Sequence, residues 1–126
     1  MRVFKTKAFQ RWLNKQSLTN EDLSKAVSEI ELGLVDANLG GFLYKKRIAF
    51  PGRGKRGSTR TLLAVKHGSK AFFLYGFEKN QRDTLTVKEE KAYKLIAKTI
   101  LGYTDAELKE RLNDQSLIEI GHQPEM

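Results

Sequence analysis

Apolar residues recur along this chain with two different periods, interrupted by glycine, asparagine and charged breaks. Arg2-Val3-Phe4-Lys5-Thr6 alternates and predicts a short opening strand. Phe9, Trp12 and Leu13 then fall at helical spacing and predict a first helix over 7–16. Thr19 stands as an N-cap ahead of Glu21 and Asp22, whose charges suit the positive end of a helix. Leu23, Ala26, Val27, Ile30 and Leu34 continue as one apolar stripe, so a second helix is expected until Asn38 and Gly40-Gly41 break the pattern within 36–41.

The period then changes to two. Over 43–50, Tyr44, Ile48 and Phe50 share one face and Lys45, Arg47 and Ala49 the other, which predicts a strand. Pro51 to Gly57 predicts a loop. Over 59–66, Thr61, Leu63 and Val65 alternate with Arg60, Leu62 and Ala64 in a second strand. His67-Gly68-Ser69 predicts a hairpin turn, with the histidine solvated, and 71–78 is apolar on both faces, as a covered central strand would be. Gly76 inside that strand predicts a bulge or the close approach of another group.

Helical spacing returns with Thr86-Val-Lys-Glu89, a capping box, followed by Ala92, Leu95, Ile96 and Ile100 as the core stripe, and Gly102 as the stop. Thr104-Asp-Ala-Glu107 is a second box, stapled by Tyr103 and Leu108, and Leu112 extends the apolar edge of a short helix. Residues 116–120 predict a last strand and 121–126 a frayed tail. The order implies a single α+β domain over 1–126: an antiparallel β-sheet flanked by N-terminal and C-terminal helices.

Composition narrows the chemistry. The longest apolar runs fall far short of the roughly 20 residues of a membrane span. The N-terminus has no signal-peptide pattern, and cysteine is absent, so the expected address is the cytoplasm and neither disulfide nor thiolate chemistry is available. The two histidines, His67 and His122, have no metal-ligand spacing, and no metal or other cofactor is expected. Charge changes the picture most. Between Phe42 and Arg82 stand eleven Lys or Arg and one acid, Glu78, a net +10 over 41 residues, whereas the whole chain carries +8. The remainder is therefore close to neutral, and the segment is the footprint of a polyanion site, most simply nucleic acid.

Gly52-Arg-Gly54-Lys55-Arg56-Gly57-Ser58 lacks the spacing of a nucleotide-binding P-loop and is flanked by strands on both sides, which argues against triphosphate binding. Arg53 and Arg56 in this loop suit contact with backbone phosphate. Arg47 and Arg60 say more, because they project from strands beside Ala49, Leu62 and Ala64, where a cation is costly unless paired or facing an anion-binding groove. Lys79, Asn80 and Arg82 follow the third strand, within reach of the same loop. Tyr75 and Phe77 are candidates either for stacking on bases or for plain core packing.

Lys45-Lys46-Arg47-Ile48-Ala49, Pro51-Gly52-x-Gly54-Lys55, Arg60-Thr61-Leu62 and Phe72-Phe73-Leu74-Tyr75-Gly76-Phe77-x-Lys79-Asn80 together resemble the RelE/HigB-like toxins of bacterial toxin–antitoxin pairs, within the RelE/ParE superfamily. The resemblance implies a compact α+β fold and a metal-independent endoribonuclease that cuts mRNA in the ribosomal A site. It also implies a cognate antitoxin, often of helix-turn-helix type in the HigB-like branch. Its basic active-site positions fall on Arg47, Lys55, Arg60 and Lys79, with Lys45, Arg53, Arg56, Asn80 and Arg82 as RNA-binding positions. A proton-transferring tyrosine has two candidate positions, Tyr93 and Tyr103, and a lysine is a further candidate for the same role. The alternatives are a non-catalytic RNA- or ribosome-binding module, or a gyrase poison of the ParE branch.

Overall fold

The computed structural model describes residues 1–49, 58–78 and 85–120. Its elements are β1 (Arg2–Thr6), α1 (Lys7–Leu13), α2 (Asn20–Glu31), β2 (Ala37–Gly40), β3 (Leu43–Ala49), β4 (Ser58–Lys66), β5 (Lys70–Glu78), α3 (Val87–Leu101), α4 (Asp105–Asn113) and β6 (Leu117–Glu119). The strands form one sheet in the order β2-β3-β4-β5-β1-β6. β3, β4 and β5 make the expected antiparallel meander. β1 enters between β5 and β6, parallel to the former and antiparallel to the latter, so the sheet is antiparallel except at that one junction.

The α+β class with helices on both sides is therefore the observed architecture. On one face Val3, Leu63, Val65 and Phe73 meet Phe9 and Leu13 of α1 and Leu23, Val27 and Ile30 of α2. On the other, Phe4, Leu62, Ala64 and Phe72 meet Ala97 and Ile100 of α3 and Leu108 of α4. Phe4 and Phe72, neighbours on parallel strands, stack with ring centroids 4.8 Å apart. Covered on both faces, β5 has Ala71, Phe72 and Phe73 fully buried, as its two-sided apolar pattern predicts.

The helix starts follow the capping signals. Thr86 and Glu89, and Thr104 and Glu107, form reciprocal boxes, and Thr19 caps α2 in the same way with Asp22. Two expectations about helices are overturned. α2 stops at Glu31, and Leu34 is 55% exposed instead of extending the stripe. Beyond it Ala37–Gly40 forms a strand that the asparagine and glycines concealed. In α3 the buried side is Ala97 and Ile100 with Tyr93 and Leu101 partly covered, while Ala92, Leu95 and Ile96 face outward.

Of its two expectations, Gly76 meets the close approach. A Cβ there would lie 2.5 Å from the Trp12 ring, so only glycine lets α1 sit this close to β5. The bulge of β5 lies two residues earlier, at Leu74: Leu62 pairs with Tyr75 but Leu63 with Phe73, while Gly76 pairs in register with Thr61. The bulge lets Phe72, Leu74 and Tyr75 all contribute to the core under α3.

Candidate nucleic-acid interface

Strand alternation and register decide where the cations go. Thr59, Thr61, Leu63 and Val65 point toward the α1–α2 side of β4, so Arg60, Leu62 and Ala64 point toward the α3 side. In β3, Tyr44 and Ile48 belong to the first side, and Leu43, Lys45, Arg47 and Ala49 to the second. Lys45, Arg47 and Arg60 therefore share one face. Within it Arg47 lies directly opposite Arg60, and Lys45 opposite Leu62.

Two arginines facing each other across a ladder repel, and no fold gains from that arrangement by itself. Arg60 is half-buried, and one of its nitrogens sharpens the point. Its Nη1 is the one buried side-chain nitrogen or oxygen without a hydrogen-bond partner among the described residues. Polar groups on the opposite face of the same strand are satisfied: the Thr59 hydroxyl donates to the Phe77 carbonyl at 2.8 Å, and the Thr61 hydroxyl to the Lys46 carbonyl at 2.9 Å. A guanidinium donor left unmatched beside a second guanidinium is a group that an anion with several acceptor oxygens can satisfy.

The surroundings differ in character on the two sides of the arginine pair. Toward the sheet edge, Arg47 is exposed, and β2 pairs with β3 only as far as Lys45, so residues 46–49 are free of a strand neighbour on that side among the described residues. A cavity of about 260 Å³ lies there, lined by Asp22 and Glu29 of α2 as well as Arg47 and Ala49. Toward the sheet centre, Phe77 stands directly opposite Arg60, and an aromatic row runs from Phe77 to Tyr75 to Tyr93 at ring separations of 5.6 and 5.5 Å. Phe77 is only 1% exposed, so it is a packing residue and the base-stacking alternative does not apply to it. Tyr75 is half-buried within the same row.

The two tyrosine candidates separate. Tyr103 lies under the Arg111 guanidinium, 5.4 Å from its centroid, and its hydroxyl helps hold the Arg111 guanidinium above its ordinary range. It belongs to the α3–α4 junction. Tyr93 is on the face of α3 that meets the sheet, in ring contact with Tyr75 and on the side toward which Arg60 projects.

Of the remaining candidates, the cations Lys55, Lys79, Arg53, Arg56 and Arg82 and the neutral Asn80 lie outside the described residues. The strand ends that lead into them are adjacent, however. Ala49 pairs with Ser58 across 50–57, and Thr59 pairs with Glu78, the last described residue before 79–84. Arg47 and Arg60 are two residues from those ends.

Lys46, next to the site in sequence, is structural. It is 8% exposed, donates to the Leu34 carbonyl at 2.9 Å and pairs with Glu29 at 2.9 Å, which fastens the end of α2 to β3. His67, expected to be merely solvated, is held by Glu31 at 2.9 Å and the Tyr44 hydroxyl at 3.3 Å, on the side of the sheet away from the arginines. Among the described residues no cluster of three His, Cys, Asp or Glu gathers at metal-binding distance, and no helix is long and apolar enough to cross a membrane.

A search of curated proteins finds no match. A family model described as "RelE toxin of RelE / RelB toxin-antitoxin system" matches residues 1–120.

Proposed function

The chain belongs to the RelE toxin family, the toxin half of a toxin–antitoxin system, and from that premise we propose that it is a metal-independent endoribonuclease acting on ribosome-bound mRNA. The observation that carries the reading is the pair Arg47 and Arg60, opposed across β3 and β4, with the Nη1 of Arg60 buried and unpartnered. An RNA phosphodiester offers the missing acceptors. The 2′-hydroxyl attacks the adjacent phosphorus as its proton is removed, the P–O5′ bond breaks, and the 5′-oxygen leaves as a hydroxyl after taking up a proton. The products are a 2′,3′-cyclic phosphate and a new 5′-hydroxyl end.

Phosphorus gains negative charge on its equatorial oxygens in this reaction, and fixed guanidinium donors favour that state over the ground state. Arg60 and Arg47 take this role. Lys55 and Lys79, with Tyr93 from the aromatic row, are the groups proposed for proton transfer, and Lys45, Arg53, Arg56, Asn80 and Arg82 for holding the flanking backbone. Inhibition by a cognate antitoxin completes the reading.

Expression of the wild-type chain, followed by mapping of mRNA 5′ ends, tests it. Discrete new 5′-hydroxyl ends within codons, absent with Arg60→Ala, are expected. Uncut message accompanied by cleaved supercoiled DNA would assign the toxin to gyrase instead. Uncut message with the protein bound to ribosomes would assign it to the non-catalytic class.

A further inference from the structure

The turn between β2 and β3 carries a residue that its backbone does not favour. Gly40 pairs with Leu43, so Gly41 and Phe42 are the two central residues of the turn, at φ +60° and +65°. A two-residue hairpin turn with both central φ positive ordinarily takes asparagine, aspartate or glycine, because a Cβ in the left-handed region crowds the following carbonyl. Phe42 bears that cost without the usual return of burial, since it is 57% exposed. The turn is nonetheless firmly held. The Phe42 carbonyl accepts from the Val65 amide at 3.0 Å, and the Lys94 side chain packs against Gly40 and Gly41, 3.7 and 3.5 Å from where their Cβ atoms would stand. Strain at a fixed, exposed aromatic is characteristic of ligand-holding positions.

The surroundings of the ring supply positive charge. Phe42, Leu101 and Gly102 line a cavity of about 210 Å³ together with Lys66 and Lys98, and none of these residues is an acid. Lys66 stands directly opposite Lys70 across β4 and β5, and Lys70 is in turn the register partner of Arg2 in β1. By alternation with Ala64, Phe72 and Phe4, all three cations lie on the α3 side of the sheet. The nearby acids are committed elsewhere. Glu119 accepts two bonds from the Arg2 guanidinium, at 2.9 and 3.0 Å, and Glu90 pairs with Lys94 at 3.1 Å. Among the described residues Lys66, Lys70 and Lys98 enter no ion pair. An exposed ring is thus set beside a small cavity whose charge is unopposed.

We infer that this cavity is a second contact for single-stranded RNA, in which one unpaired base stacks on Phe42 and the adjoining phosphates meet Lys66 and Lys98. The inference rests on the proposed function for the existence of an RNA ligand. Base and phosphate together answer both features of the site, the ring and the cations. The cavity is smaller than the roughly 300–1,000 Å³ of a drug-sized pocket, which suits one ring system and not a row of side chains. Its place in the fold is separate from the arginine pair. Lys66 and Arg60 project from the same face of β4 six residues apart, which is roughly 20 Å, and Lys45 stands on that face of β3 between Arg47 and the turn. A strand with its scissile phosphate at Arg60 would reach Phe42 about six nucleotides away at the roughly 3.4 Å spacing of stacked nucleotides, and sooner if stretched. Phe42, Lys66 and Lys98 therefore position RNA and touch no reacting atom. The same chemistry is offered by the flank of the message and by an unpaired strand of ribosomal RNA.

The test uses the full chain, purified ribosomes, and an RNA of about 12 nucleotides, long enough to span both contacts, with 2′-O-methyl groups so that it is bound and not cut. Phe42→Gly suits the left-handed backbone, so it is expected to leave the thermal unfolding temperature undiminished while weakening binding about tenfold, the loss of one stacked base. Phe42→Leu keeps an apolar side chain without a ring and is expected to bind as weakly. Lys66→Ala/Lys98→Ala should reduce the slope of log affinity against log salt by about 1.4, for two phosphate contacts at about 0.7 each. A loss seen with the free oligonucleotide upholds the contact and assigns it to the message. A loss seen only with ribosomes upholds it and assigns it to ribosomal RNA. Wild-type affinity of Phe42→Gly for both ligands overturns the inference while leaving the endoribonuclease reading intact, and so does a Phe42→Leu variant that binds like the wild type. A Phe42→Gly variant that keeps its RNA affinity but no longer co-purifies with the product of the adjacent reading frame overturns it in favour of a protein partner. Wild-type chain that binds neither oligonucleotide nor ribosome overturns the RNA reading itself.

Discussion

Replacing Arg60 by methionine should make the free protein more stable while disabling it. Methionine keeps an unbranched apolar stem beside Leu62 and Phe77 but removes the guanidinium. In the wild type Nη1 is buried without a partner, and an unmatched buried donor costs about 1–3 kcal/mol. The same change relieves the direct opposition of Arg47 and Arg60, worth about 0.2–1 kcal/mol for charges facing each other across a ladder. Some of this gain is offset by lost contacts of the longer arginine side chain, so a net rise of about 1–2 kcal/mol is expected. With a urea dependence of about 1–3 kcal/mol per molar, the denaturation midpoint at low salt should move up by about 0.5–1 M. Inorganic phosphate should narrow the difference, because it binds the folded wild type and stabilises it by mass action but finds no comparable site in the variant. A variant less stable than the wild type at low salt and in the absence of phosphate would show that Arg60 holds the fold together, and the reasoning from its unmatched nitrogen would fail.

Three further outcomes follow from the packing and the caps. Gly76→Ala puts a methyl 2.5 Å from the Trp12 ring and should lower stability by about 2–3 kcal/mol, with much of the loss recovered when Trp12→Leu is added; equal losses with and without that second change would refute the contact as the cause. Lys46→Ala removes the donor to the Leu34 carbonyl and the partner of Glu29, and should lower the urea-derived stability by about 1–3 kcal/mol, whereas Lys45→Ala, on the other face, should change it by less than about 0.5 kcal/mol. The Ser116 hydroxyl and amide hold the Asp114 carboxyl below its ordinary range, and the Thr104 amide and hydroxyl do the same for Glu107. Each group is then easier to protonate in the unfolded chain. Their stabilisation is present above the ordinary carboxylate range and is lost as pH falls through the lowered folded values. Asp114→Asn with Glu107→Gln should flatten that acid limb in pH-dependent thermal unfolding and leave the neutral region's slope unchanged.

The parts of this fold that were legible in the sequence are those set by near neighbours. Two helix starts followed from a threonine and the glutamate three residues on, a third from Thr19 ahead of two acids, and the β3–β4–β5 meander followed from alternation broken at 51–57 and 67–69. What required the rest of the molecule was choice between equivalent options. α3 carries two apolar stripes, Ala92-Leu95-Ile96 and Tyr93-Ala97-Ile100, and its own sequence does not say which one meets the sheet. The strand Ala37–Gly40 has little strand propensity and exists through its pairing with β3. The parallel junction of β1 with β5 joins segments some seventy residues apart, beyond any local signal.

The site shows the same division. Alternation alone put Arg47 and Arg60 beside apolar neighbours, and the charge run raised the expectation of a polyanion. Register then supplied what periodicity lacks: the two arginines stand directly opposite one another, with Phe77 across from Arg60. Side-chain contacts likewise separated Tyr93 from Tyr103 and revealed that Lys46, in the same basic run as Arg47, serves the fold.

The most direct test of the central claim is single-turnover cleavage of an mRNA bound in purified ribosomes by wild-type chain and by Arg60→Ala, with folding of the variant confirmed by circular dichroism. Loss of one charge-stabilising donor should slow the chemical step by about 10²–10³-fold or more, with no comparable loss of ribosome binding. Cleavage by Arg60→Ala at the wild-type rate would contradict the assignment of that arginine, and with it the mechanism built on the opposed pair.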